Sequence, residues 1–116
     1  TFENASDIER TFLVDNTPRI LDTYNYPNPF SNKTYFTFKL TQIPDELKIK
    51  IYTVAGRLIK EFVKTYADLR RDFNEIEWDG KDEDGDEIAN GVYIYKIFSK
   101  KGDKSESVTQ KLAIVR

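Results

Sequence analysis

The chain has 116 residues, 39% hydrophobic, 14% aromatic and 33% charged, which suits one compact domain with a real core and excludes a disordered tail. Its 18 Lys and Arg against 20 Asp and Glu leave a net charge of −2, with both signs interspersed, so no basic stripe points to nucleic acid. Cysteine, histidine and methionine are absent, which removes thiol nucleophiles, Ser-His-Asp arrangements, His/Cys zinc sites and disulfides.

No apolar run is long enough to span a bilayer, and no basic-then-apolar leader opens the sequence. A soluble, monomeric module is expected, with any signal peptide of a parent protein lying outside this segment. Residues 1–19 are rich in Asp, Glu, Asn and Thr and read as a junction to an upstream domain. A first strand is expected at Thr11–Val14 or at Ile20–Tyr24.

Next comes Tyr26-Pro27-Asn28-Pro29-Phe30. Two prolines bracketing one residue predict an extended, polyproline-like segment that lacks two backbone donors. Such a segment suits a sheet edge or a crossover, and equally a surface that a partner recognises. Thr34–Leu40 and Leu47–Thr53 alternate apolar and polar residues, each reading as a strand with one buried face. Ala55-Gly56-Arg57 reads as a tight hairpin turn. It resolves Arg57–Tyr66, whose spacing fits helix or strand, as a strand.

Beyond it, Glu75–Trp78 alternates again, and Val92–Phe98 is apolar or aromatic at nearly every position, predicting a central strand buried on both sides. Ser107–Val115 is the last strand. About seven short strands separated by turn signals predict an all-β, immunoglobulin-like sandwich of antiparallel strands.

The chemistry-bearing stretch is Asp79-Gly80-Lys81-Asp82-Glu83-Asp84-Gly85-Asp86-Glu87. Asp79, Asp82, Asp84 and Asp86 are candidate ligands for calcium, a hard cation that takes oxygen donors. Their spacing is not that of an EF-hand, since Lys81 falls on a ligand position. A solvated turn with Asp side chains capping the backbone is the ordinary reading, so no cofactor is expected. Acid-base catalysis by paired carboxylates needs a cleft that raises one pKa, and an exposed loop supplies none. The chain is expected not to be an enzyme. Tyr24, Tyr26, Tyr35, Tyr52, Tyr93, Tyr95 and Trp78 could form a platform for sugars, but alternating aromatics in strands ordinarily pack.

Taken in order, Tyr26–Phe30, Ile49–Arg57, Trp78–Asp82, Ala89–Tyr93 and Lys111-Leu112-Ala113-Ile114-Val115-Arg116 resemble the type A C-terminal sorting domain of the type IX secretion system. The closely similar FlgD-like immunoglobulin domain shares the Trp-Asp-Gly and Gly-Val-Tyr parts. The resemblance covers residues 20–116. It implies a seven-stranded sandwich ending a cargo protein of the Bacteroidetes/Chlorobi kind, exported through the periplasm to the cell surface or beyond. The implied partners are the outer-membrane translocon, a sortase that removes the domain, and an upstream cargo domain. The lead-in Phe12–Pro18 is similar to the junction after a gingipain-like C25 peptidase. By position, the implied recognition residues are Pro27, Asn28, Pro29, Phe30, Gly56, Arg57, Gly91, Tyr93, Lys111, Leu112, Ile114, Val115 and Arg116. The alternative is a structural or carbohydrate-binding accessory domain of a secreted or flagellar protein.

Overall fold

The computed structural model describes residues 18–116; Thr11–Val14 lies outside them. Seven strands follow one another: β1 (Ile20–Tyr26), β2 (Thr34–Leu40), β3 (Glu46–Thr53), β4 (Leu58–Thr65), β5 (Asp72–Trp78), β6 (Gly91–Lys101) and β7 (Lys104–Ile114). A single 3-10 turn, Tyr66–Asp68, separates β4 from β5. The strands form two antiparallel sheets, one ordered β1-β2-β5 and the other β4-β3-β6-β7. This is the expected sandwich.

The period-two patterns decide which side chains meet between the sheets. Phe36, Phe38 and Leu40 of β2 face Leu47, Ile49 and Ile51 of β3 and Tyr95 and Ile97 of β6, all buried. Burying each such side chain contributes roughly 1.5–3 kcal/mol, enough in sum to oppose the entropy of ordering the chain. Phe36 is the aromatic hinge of the core, with its ring centroid 4.8 Å from Tyr95 and 6.0 Å from Trp78.

Two turns set the register. Gly102 takes φ +59 as the first of two residues joining the paired Lys101 and Lys104, the position glycine occupies in a II′ hairpin. Gly56, at φ +96, closes the β3–β4 turn by donating its amide to the Thr53 carbonyl at 2.9 Å.

Two expectations are corrected. β6 is central in its sheet, but its burial alternates, with Tyr93, Tyr95, Ile97 and Ser99 inside and Ile94, Lys96 and Phe98 only half-buried. On the outer face the Phe98 ring lies under the Lys50 ammonium, 5.4 Å from its centroid. The prolines do not hold an extended polyproline-like stretch either, because the peptide bonds before Pro27 and Pro29 are both cis. The chain bends there instead, and β1 returns as β2 in the same sheet.

Sheet edges carry unpaired backbone groups that need partners. On β1 the Ile20 amide donates to the Glu106 carboxylate at 3.1 Å, and the Thr23 carbonyl accepts from the Gln110 side chain at 3.1 Å. Side chains of β7 thereby tie the edges of the two sheets together. On β4 the Glu61 amide donates to the Glu83 carboxylate at 2.8 Å, and the Ile59 carbonyl accepts the Glu83 amide at 3.3 Å. The acidic connection is therefore not only a solvated turn: it docks on an edge strand.

Candidate recognition site

Register brings four segments to one end of the sandwich. β6 begins where β7 finishes, with Gly91 opposite Ile114. Thr53, which leads into the Gly56 turn, pairs with Tyr93. Phe30 forms a parallel bridge to Ile114. The Pro27–Phe30 bend, the Gly56-Arg57 turn, the loop after Trp78 and the finish of β7 thus share one pole.

The bend is held from below by buried polar side chains. Asn25 donates to Thr34 Oγ1 at 3.2 Å, and Thr34 Oγ1 donates to the Pro27 carbonyl at 2.8 Å. From this base Asn28 reaches across to the other sheet. Its Nδ2 donates to Asn25 Oδ1 at 3.1 Å and to the Lys111 carbonyl at 3.3 Å, and its Oδ1 accepts the Ala113 amide at 3.0 Å. The backbone of Phe30 continues the clamp. Its amide donates to the Ala113 carbonyl at 3.0 Å and its carbonyl accepts the Val115 amide at 2.9 Å. The connection between β1 and β2 thereby extends the four-stranded sheet.

Beneath the clamp, the Phe30 ring is buried 5.6 Å from Trp78. Trp78 is tied to the following turn by donating its indole N–H to the Lys81 carbonyl at 2.9 Å. Gly80 sits over this pair at φ +74, where a Cβ would come within 3.1 Å of Phe30 Cε2 and 3.0 Å of the Arg116 guanidinium. Arg116 closes the arrangement. Its guanidinium donates to the carbonyls of Gly80, at 3.2 Å, and of Ile88, and its backbone amide donates to Asn90 Oδ1 at 3.1 Å. Tyr93 secures the same loop by donating its hydroxyl to the Ala89 carbonyl at 2.6 Å.

The expected recognition residues divide in two. Phe30, Tyr93, Leu112 and Ile114 are buried and hold the pole together. Pro27, Asn28, Pro29, Gly56, Arg57, Gly91, Lys111, Val115 and Arg116 are exposed and form its surface. Sequence reasoning passed over Asn25, Thr34, Gly80 and Asn90 as site residues. Asn25 carried no signal, because alternation from Ile20 places it outward and a register shift between Leu21 and Tyr24 turns it inward.

Of the four candidate calcium ligands, Asp82, Asp84 and Asp86 place carboxylate oxygens within 4.8 Å of one another. Asp79 is not in this group, and its Oδ1 accepts the Lys81 amide at 3.1 Å. Asp82 Oδ1 is already engaged, accepting the amides of Asp84 at 3.0 Å and Asp86 at 2.9 Å. Those bonds shape the turn at Gly85. Among the aromatic residues offered as a platform, Tyr93, Tyr95 and Trp78 are core, whereas Tyr24 and Tyr26 are 64% and 76% exposed among the described residues. For those two the packing expectation fails within the described sandwich.

The family model described as FlgD Ig-like domain matches residues 25–103. No curated protein matches the chain. Among solved structures, latent PorU of Porphyromonas gingivalis aligns over 84% of this chain at 24% identity with a TM-score of 0.71. PorZ of the same organism, described as an essential surface component of the type IX secretion system, aligns over 81% at 23% identity and a TM-score of 0.53. Truncated FlgD of Helicobacter pylori aligns over 81% at 20% identity and a TM-score of 0.59. The chain spans 70% of that FlgD but only 9% of PorU and 11% of PorZ. At these identities the likeness is one of fold.

Proposed function

Because the chain belongs to the FlgD Ig-like domain family, a non-catalytic kind of module, we propose that it serves as the sorting domain of a larger exported protein, directing it across the outer membrane through the type IX secretion system. Its partners are then the translocon, the upstream cargo and a sortase that removes the domain. The parent passes through the periplasm to the cell surface or medium. The observation that carries the reading is the clamp of Asn28 and Phe30 on β7. It joins the Pro-Asn-Pro-Phe and Lys-Leu-Ala-Ile-Val-Arg motifs into one surface, although they lie far apart in sequence. The fold shared with PorZ supports the same assignment.

The test is a fusion of the whole chain behind a periplasmic reporter, in a bacterium that carries the type IX machinery. The reporter is expected at the surface or in the medium, and a fusion lacking Lys111–Arg116 is expected in the periplasm. Equal retention of both would leave a structural accessory role instead.

A further inference from the structure

The outer face of the four-stranded sheet carries a charge opposite in sign to that of the chain as a whole. Register turns five lysines to this face: Lys48 and Lys50 on β3, Lys96 and Lys100 on β6, and Lys111 on β7. Among the described residues only two acids, Glu46 and Glu61, share it, each 3.8 Å or less from one of these lysines. Five positive against two negative charges give the face +3, while the whole chain carries −2.

Two of the lysines are also held in place by aromatic rings. Lys50 Nζ lies 5.4 Å from the Phe98 ring centroid and Lys96 Nζ lies 5.7 Å from that of Tyr52. Stacked ammonium groups keep their charge at the surface at little entropic cost. Beside them an open hollow of about 500 Å³ is lined by Lys48, Lys50 and Lys100 against the carboxylates of Glu46 and Glu106, with the Phe98 ring and hydroxyls from Ser105 and Ser107.

We propose that this face binds an acidic polysaccharide. Charge complementarity calls for an anion, and the broad sheet offers lysines at strand spacing rather than one enclosed site, which suits a linear polymer. A protein partner fits poorly, because lysine is depleted from the cores of protein interfaces. Nucleic acid fits poorly as well. The rings that would stack on bases lie under lysines, and the chain as a whole is acidic, with a pI near 5.2.

The experiment measures binding of the full chain to polygalacturonate and to neutral dextran at low and high ionic strength. Polygalacturonate is expected to bind at low ionic strength and to be released by salt, as exposed charges are screened. The K48Q/K96Q/K100Q variant should bind at least about tenfold more weakly, given roughly 1 kcal/mol per lysine near an anionic surface. K33Q/K39Q, on the other sheet, should bind like the parent. K111Q removes a side chain with no ion pair or ring contact among the described residues. Its affinity should fall with the melting temperature unchanged, separating binding from folding. The proposal is overturned by absence of binding, by equal binding of dextran, or by equal weakening in K33Q/K39Q. Tighter binding of single-stranded DNA or of phosphatidylglycerol vesicles would also overturn it.

Discussion

The side-chain carbonyl of Asn28 accepts the backbone amide of Ala113 at 3.0 Å, while its amide nitrogen donates to the Lys111 carbonyl two residues earlier. A single asparagine thus supplies both a donor and an acceptor to the edge of β7, as a paired strand would. Asn28→Ala removes both of these bonds and a third to Asn25 Oδ1, each worth about 0.5–1.5 kcal/mol net. Urea unfolding should show a loss of about 2–4 kcal/mol with an unchanged slope, the sign of altered stability alone. Asn28→Asp should not rescue it, because a carboxylate offers no proton to the carbonyls of Lys111 and Asn25. Stability equal to the parent in either variant would mean that the clamp contributes nothing.

Gly80 and Gly56 both adopt positive φ, yet only Gly80 has neighbours at the place where a Cβ would stand. Alanine at Gly56 should cost about 1–2 kcal/mol from backbone strain alone. At Gly80 the same strain is joined by a contact at 3.1 Å with the buried Phe30 ring, which cannot yield in a close-packed core. Gly80→Ala should therefore be the more destabilised by at least about 1 kcal/mol, with a changed near-ultraviolet signal from Trp78. Equal melting temperatures for the two variants would contradict this.

Much of the sandwich was legible because Thr34–Leu40 and Leu47–Thr53 alternate cleanly, and alternation follows directly from one buried face. Val92–Phe98 was misread because Ile94 and Phe98 sit half-buried on the outer face, Phe98 under the Lys50 ammonium, and sequence cannot distinguish that from a second packed layer. The bend at Pro27 and Pro29 was misread because proline permits the cis bond without dictating it. The pole itself was legible only through motif resemblance. Its bonds join residues as far apart as Asn28 and Ala113, separated by 85 positions, and no local pattern specifies such a pair.

Asp68 closes the 3-10 turn with one oxygen, accepting the Thr65 amide at 3.0 Å and its hydroxyl at 3.2 Å. The backbone bond from Thr65, then its hydroxyl, holds the Asp68 carboxyl below its ordinary 3.8. A carboxyl depressed in the folded state stabilises the fold above its unfolded pKa and loses that contribution as pH falls through its folded pKa. Asp68→Asn should melt lower than the parent at neutral pH, and the gap should close in strong acid. A gap independent of pH would show that charge is not the cause.

Asp82 spends one carboxylate oxygen on the amides of Asp84 and Asp86, so the acidic turn is built by its own hydrogen bonds. A cation that binds only the native state must raise stability, by about 2.7 kcal/mol at a hundred times its Kd. Millimolar calcium should leave the melting temperature of the chain unchanged, and Asp82→Ala should lower it equally with and without calcium. A calcium-dependent rise abolished in Asp82→Ala would instead establish a metal site.

Arg116 bridges two turns of the loop after Trp78, donating to the carbonyls of Gly80 and Ile88, with Glu87 3.8 Å from its Nε. The planar guanidinium gives each carbonyl its own nitrogen, Nη1 to Ile88 and Nη2 to Gly80, in a fixed fork. Arg116→Ala should leave the Ile88 carbonyl without this donor and the Gly80 carbonyl with only the Ile88 amide, 3.5 Å away, and cost about 1–3 kcal/mol. Arg116→Lys should recover less than half of that loss, since an ammonium has no fixed fork to place one donor on each carbonyl. The effect should be local. Hydrogen exchange should quicken at the amides of Lys81 to Asn90, while those of Ile49, Ile51 and Ile97 in the core strands keep their protection. Quickened exchange throughout the sandwich would mean that Arg116 supports the whole fold and not the pole alone.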